Sequence, residues 1–422
     1  MVSNRLRRIP TLLPRILSRQ YATPLNHLPQ TQHKITVQGP HVKSERAASH
    51  HQSLLSQLRN IPKDASDLAI TEDTPSDTEW DILGSHFTAV RDLEMFSGFN
   101  EDLNDRKMPN HWPIERLSLA DSCGEVTKSP HILQGRIKHL ILNHTSELRF
   151  EGPASAELRR AYSEAVKRGE RTPEYSDAPH GKIEVIDMSQ LAGEWLANKY
   201  KNAENHGGGN LSPGPENRPV EGQPSRLRTL EIIENDALCT FVLFGAALPH
   251  VVDGLTSMTL RSTEIPRDLG WFPDGVFLQL LSVLGNLQTL NLSVGEIFKD
   301  PTTLPSLYKH LPLNLTTLQF RGPLSFGRSN GFNEWIDAFG SETFLPKLER
   351  LAFVLDYHYG KNQEGQPKKL NTPPEKDLAE ARAACERLYE VATRRGIKVQ
   401  PLHDPWVNSN GPMRMRAVDS RW

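Results

Sequence analysis

Three cysteines in 422 residues, Cys123, Cys239 and Cys385, lie too far apart for a disulfide framework or a metal-binding spacing, so buried thiols are expected. No run of eighteen apolar residues occurs, which excludes a helical membrane span; the nearest approach, ALCTFVLFGAALPHVV from Ala237, is too short and ends at Pro249. There is no Walker A sequence, no Rossmann fingerprint and no H-E-x-x-H, so nothing calls for a cofactor or a catalytic metal. DYHYG at Asp356 offers a single His, of the kind that usually only hydrogen-bonds at a surface.

Acidic residues are missing from the first forty-four positions; Glu45 is the first. That stretch carries Arg5, Arg7, Arg8, Arg15, Arg19, Lys34 and Lys43, while Leu6, Ile9, Leu13, Ile16 and Leu17 recur at helical spacing. A basic amphipathic helix without acids has the character of a mitochondrial transit peptide, which a negative-inside potential draws inward. Pro10 and Pro14 limit it to helical pieces. Residues 18–24, SRQYATP, resemble the matrix-peptidase site, with Arg19 at minus three, Tyr21 at minus one and Ala22 as the new N-terminus. Residues 1–21 are therefore expected to be a presequence and the mature protein to reside in the mitochondrial matrix. The alternatives are a mildly basic disordered tail on a cytoplasmic protein, or a misplaced start codon. A secretory signal is disfavoured, because no uninterrupted apolar segment follows the arginines.

Removing the five arginines of the first 21 residues from the total of 49 basic residues leaves 44 against 51 acids, a net charge of −7. An acidic body argues against general nucleic-acid binding, which needs a basic footprint. A mean hydropathy of −0.51 places the chain among soluble globular proteins.

What the body does contain is a recurring hexamer with apolar residues at positions 1, 4 and 6: VRDLEM at Val90, IERLSL at Ile114, IKHLIL at Ile137, IEVIDM at Ile183, LRTLEI at Leu227, LTSMTL at Leu255, LQTLNL at Leu287, LTTLQF at Leu315 and LERLAF at Leu348. Most starts are 23 to 33 residues apart; the two longer gaps, around Ile183, hold insertions. Self-similarity at such a period is the mark of stacked units, in which each strand-turn-helix unit shelters the apolar side of the next. Helix-like segments lie between the hexamers, among them EWDILGSHF from Glu79, GVFLQLLSVLG from Gly275 and FNEWIDAFG from Phe332.

These residues resemble the leucine-rich-repeat superfamily, in the irregular form of fungal F-box-type proteins. VLGNLQTLNL at Val283 and FLPKLERLAF at Phe344 carry the resemblance best, and it covers roughly residues 80 to 360. It implies an α/β solenoid, a curved parallel sheet with helices on the outer face. The chain departs from the family three residues after each hexamer, where Asn or Cys normally bonds the turn: Asn235 fits, Pro323 and Asp356 do not. An ordinary α/β domain with parallel strands is the rival architecture.

Around the repeats, residues 22–75 read as a disordered linker, 76–403 as the repeat domain with disordered inserts at 202–224 and 361–374, and 404–422 as a flexible tail. EKDLAEARAACERLYEVATRRG reads as a helix stopped by Gly396, and with IKVQ it forms a helix-strand cap over 375–400.

A solenoid of this kind presents one strand per unit on a shared face, and the polar hexamer positions form a broad recognition surface. Arg91, Glu94, Arg116, Lys138, Glu184, Arg228, Glu231, Thr259, Gln288, Asn291, Thr317, Gln319 and Arg350 are its candidate residues. The first half carries mixed charge and the second is rich in Thr, Ser, Gln and Asn, which suits an unidentified protein partner; the chain alone is expected to be monomeric. The leading expectation is a non-enzymatic interaction or assembly factor. A cytoplasmic F-box-like substrate receptor is the alternative, although no L-P-x-E-[IL] helix trio precedes Val90. An esterase-type hydrolase built on His206-Gly207-Gly208-Gly209 is the third, although the partner G-x-S-x-G elbow is missing.

Overall fold

The computed structural model describes residues 32–37, 47–97, 102–103, 108–120, 123–124, 130–133, 135–143, 160, 162–173, 175–178, 181–184, 225–234, 237–247, 249–252, 254–262, 274–294, 303–357, 359–361, 367–369 and 374–399. All of them belong to the unit that begins at Gln32.

Eleven strands form one parallel sheet, and they lie side by side in the order in which the chain makes them. They are β1 (His33–Thr36), β2 (Asp67–Glu72), β3 (Asp92–Ser97), β4 (Arg116–Ala120), β5 (His139–Asn143), β6 (Thr229–Glu234), β7 (Ser257–Ser262), β8 (Thr289–Ser293), β9 (Thr317–Pro323), β10 (Arg350–Tyr357) and β11 (Lys398–Val399). The sheet is open, with β1 and β11 at its edges. Parallel neighbours need a crossover between them. Here the crossovers include α1 (Ala47–Leu58), α2 (Asp77–His86), α3 (Ala237–Ala247), α4 (Asp274–Ser282), α5 (Asn330–Gly340) and α6 (Glu375–Arg394).

The hexamers explain the sheet. In eight of the nine, the residues at positions 1, 4 and 6 are buried in one core with the helices, from Val90, Leu93 and Met95 to Leu348, Leu351 and Phe353. Each unit also repeats one backbone device. The carbonyls of Ser66, Arg91, Glu115, Lys138, Arg228, Thr256, Gln288 and Thr316 each accept two consecutive N–H groups of the next unit, at 2.7–3.0 Å. That satisfies the main chain where the strands begin and fixes the register from unit to unit.

Local sequence sets the helix ends. Ser76 caps α2 by accepting from the Glu79 N–H, while the Glu79 carboxylate accepts from the Ser76 N–H at 2.9 Å, a reciprocal capping box. Ser329 caps α5, and α6 ends before Gly396, whose φ of +81° is the left-handed conformation that glycine takes without penalty. Leu378, Ala381, Cys385 and Leu388 form the buried stripe of α6, and burial pushes the Cys385 thiol up to about 12.

Three expectations are corrected. The linker expected over 22–75 contains β1, α1 and β2, and both strands join the sheet. IEVIDM does not supply a unit: Gly181–Glu184 pairs antiparallel with Tyr175–Ala178, and β5 pairs directly with β6. The insert expected over 361–374 includes part of a ribbon in which Tyr359–Lys361 pairs with Pro367–Lys369. The presequence, the 202–224 insert and the tail lie outside the described residues.

One buried group ties this fold to pH. His131 is 1% exposed; its Nε2 donates to the Pro109 carbonyl at 3.1 Å, and its Nδ1 has no partner among the described residues. Protonation would add a second N–H with nowhere to donate, and burial lowers the imidazole to about 4. The unfolded chain takes up that proton near pH 6.5 and the native state does not, so stability is full above pH 6.5 and falls as pH drops towards about 4. Urea titrations are expected to show a loss on the order of 3 kcal/mol over that window, and His131→Leu should flatten that part of the profile.

Candidate functional site

Successive strand residues point to opposite faces, so those between the core positions share the face opposite the helices. Register sorts them into three rows. The first runs through Asp67, Asp92, Arg116, His139, Thr229, Ser257, Thr289, Thr317, Arg350 and Lys398. The second runs through Glu94, Ser118, Ile141, Glu231, Thr259, Asn291, Gln319 and Ala352. The third, nearest the C-terminal ends of the strands, holds Phe96, Ala120, Asn143, Ile233, Arg261, Ser293, Arg321 and Val354.

The candidates from the sequence fall into three groups. Arg116, Thr317 and Arg350 stand in the first row, and Glu94, Glu231, Thr259, Asn291 and Gln319 in the second. Arg91, Lys138, Arg228 and Gln288 sit one residue before their strands, where their carbonyls build the backbone ladder. Glu184, at the end of the separate ribbon, stands apart from the sheet. The cleavage residues Arg19, Tyr21 and Ala22 lie outside the described residues.

Charge is distributed unevenly along the first two rows. On the early strands Arg116 is paired with Asp92 at 2.7 Å, and His139 Nε2 is hydrogen-bonded to the Glu231 carboxylate at 2.6 Å. At the strand entrance Lys138 meets Glu115 at 2.8 Å, and this bond holds the Glu115 carboxyl below its usual range. Between Glu231 and Arg350 the two rows are uncharged, and they present Thr, Ser, Asn and Gln. The Gln319 Oε1 is buried without a partner among the described residues. Arg228 is exposed, and its guanidinium folds back onto the main chain, donating to the carbonyls of Ser225 and Leu227, each at 2.9 Å.

The third row was missed by the hexamer frame, which stops one position short of it. From Ala120 onward it is buried, although it lies on the face opposite the core: Ala120, Asn143, Arg261 and Arg321 are each 3% exposed, and Ile233 is fully buried. At its centre Arg321 grips Asp356 with two bonds, Nε at 2.7 Å and Nη2 at 2.5 Å, and lies over the Tyr357 ring at 4.9 Å. Burial raises the Tyr357 phenol, against the opposing pull of Arg321 and Arg261. A charge at hexamer position 7, followed by an acid one unit later, is the sequence signal that could have revealed this cluster.

Elsewhere, a groove of about 580 Å³ opens between α1 and α2, floored by Leu55, Leu58 and Ile82. Among the described residues no group of three or more His, Cys, Asp or Glu is placed to hold a metal, and no helix is long and apolar enough to cross a membrane. No protein-family profile matches the chain, and no curated protein matches it in sequence.

The arrangement offers two rows of hydrogen-bonding side chains, fixed in register on a rigid backbone, and a buried third row that stiffens the strand ends. Such a surface can bind.

Proposed function

We propose that the chain is a leucine-rich-repeat-like solenoid that works without catalysis, using the first two rows of its sheet to hold another protein as an interaction or assembly factor in the mitochondrial matrix. The observation that carries the reading is the unbroken register of those rows, strand after strand in chain order. At strand spacings of about 4.8 Å, the rows from β2 to β10 extend roughly 40 Å, a span that suits a protein partner better than a small molecule. The mixed charges of the early units and the neutral amides and hydroxyls of the later ones would give the partner both steering and short-range hydrogen bonds. The basic, acid-free N-terminal segment supports the location.

The test uses the full chain with a C-terminal fluorescent tag. Mitochondrial signal and a reproducible set of captured proteins are expected, and removal of residues 1–21 should abolish the signal. Asn291→Arg, which puts bulk and charge in the middle of the neutral rows, should remove captured partners about tenfold or more, whereas Arg387→Glu on the exposed side of α6 should not. Equal capture by both variants would end the reading of this face as the binding surface.

A further inference from the structure

An open sheet has two edges, and unpaired N–H and C=O groups there invite another strand. The two edges of this sheet are managed differently. β11 has two residues, and one of them is the exposed Lys398; a strand so short and charged is a poor template. β1 is twice as long, and among the described residues no strand lies on its outer side.

Alternation decides which groups of β1 face outward. The Val37 N–H donates to the Thr71 carbonyl at 3.0 Å, so Ile35 and Val37 turn their main-chain groups towards β2, and Lys34 and Thr36 turn theirs away. The outward groups of Thr36 are already taken. Its N–H donates to Gln57 Oε1 at 2.9 Å, and its carbonyl accepts from Gln57 Nε2 at 3.0 Å. A carboxamide carries one acceptor and two donors, so it can reproduce the pair of bonds that a neighbouring strand would make; a carboxylate, a hydroxyl or an ammonium cannot do so in the same geometry. Gln57 is held there by α1, whose Leu54 and Leu58 are anchored in the core.

We propose that Gln57 is a plug that closes the β1 edge, and that without it the edge takes up a second copy of this chain, β1 pairing antiparallel with β1 across a two-fold axis. The edge is self-complementary. A two-fold centred on Ile35 sets Lys34 of each copy opposite Thr36 of the other, so both outward rungs of each strand find partners and the two lysines do not face each other. The plug thus keeps the chain monomeric, independently of what the face of the sheet binds.

The experiment compares the full chain with Gln57→Met, which preserves the length of the side chain and its packing but neither donates nor accepts. Sedimentation velocity from about 1 to about 100 µM should give a monomer for the wild type and a concentration-dependent dimer for Q57M. At the lowest concentration, the Thr36 amide should exchange with solvent about tenfold faster in Q57M. Adding Thr36→Pro to Q57M deletes the outward N–H without touching the ladder to β2, and should restore the monomer. Should Q57M lose its native circular dichroism, Gln57→Leu serves instead: it too neither donates to nor accepts from Thr36, and faster exchange with a dimer is again expected. A folded variant that stays monomeric, or one whose Thr36 amide exchanges at the wild-type rate, overturns the proposal. So does a dimer that survives Thr36→Pro, because the copies would then be meeting elsewhere.

Discussion

Asp356→Ala is expected to lower the free energy of unfolding by about 3–5 kcal/mol, read as a fall in the urea midpoint at unchanged slope. The side chains of Arg321 and Asp356 are 4% and 1% exposed, so the guanidinium keeps its charge in a place that water hardly reaches. Its neighbours in the third row include Ser293 and Val354, neither of which carries charge. Without the Asp356 carboxylate the guanidinium loses two bonds and its opposite charge, and the Tyr357 ring face, an attraction worth about 2 kcal/mol at best, does not replace them. The control is the double replacement Arg321→Met with Asp356→Leu. Removing both charges removes both desolvation costs, so this variant should lie within about 1 kcal/mol of the wild type or above it. A loss below about 1 kcal/mol for Asp356→Ala alone would show that this pair is not what keeps the guanidinium in place. The pair also bears on the proposed surface: it joins β9 to β10 beside the neutral rows, and a loosened Arg321 would disturb Gln319 two residues before it.

How much of this was legible in the sequence follows from the length of each signal. A hexamer whose positions 1, 4 and 6 are apolar carries three core residues and sits beside a helix-like segment; eight such phrases became strands β3 to β10. The ninth, at Ile183, has the same letters, but pairing is decided by what lies next in space, and Tyr175–Ala178 supplies an antiparallel neighbour instead. β1 and β2 were hidden because each contributes few core residues, Ile35 alone in β1, and Leu68 and Ile70 in β2, inside a stretch whose Gln, His, Ser and Pro suggested a linker. Two or three alternations are too few for periodicity to separate from chance. The third row was illegible for a different reason. Arg261 and Arg321 fall just outside the hexamers, arginine is rarely buried, and only the register, invisible in one sequence, brings Asp356 against Arg321. The departure of Asp356 from the asparagine ladder of leucine-rich repeats was visible; that it answers an arginine from the unit before was not.

Trp335→Ala should cost about 3–5 kcal/mol, and where that loss appears along the chain tests whether the units are held together locally. Trp335 is fully buried on α5, with Phe320 at 5.2 Å, Phe326 at 5.5 Å, Phe353 at 5.6 Å and Phe339 at 6.1 Å between ring centroids. Its Nε1 donates to the Pro305 carbonyl at 2.9 Å, so truncation removes the ring, opens a cavity among stiff aromatic neighbours and leaves that carbonyl unpaired. Trp335→Phe keeps most of the volume and should lose roughly half as much, whereas Leu313→Ala, at a side chain 69% exposed, should change stability by under about 0.5 kcal/mol. In a stack where each unit rests mainly on its neighbours, the damage should spread only a short way. Amide exchange is then expected to quicken in β8, β9 and β10 and to stay near the wild-type rate in β2 and β3. Equal acceleration in β2 and β3 would mean that the sheet opens as one cooperative block, in which case a partner bound over the later strands would stabilise the early ones as well.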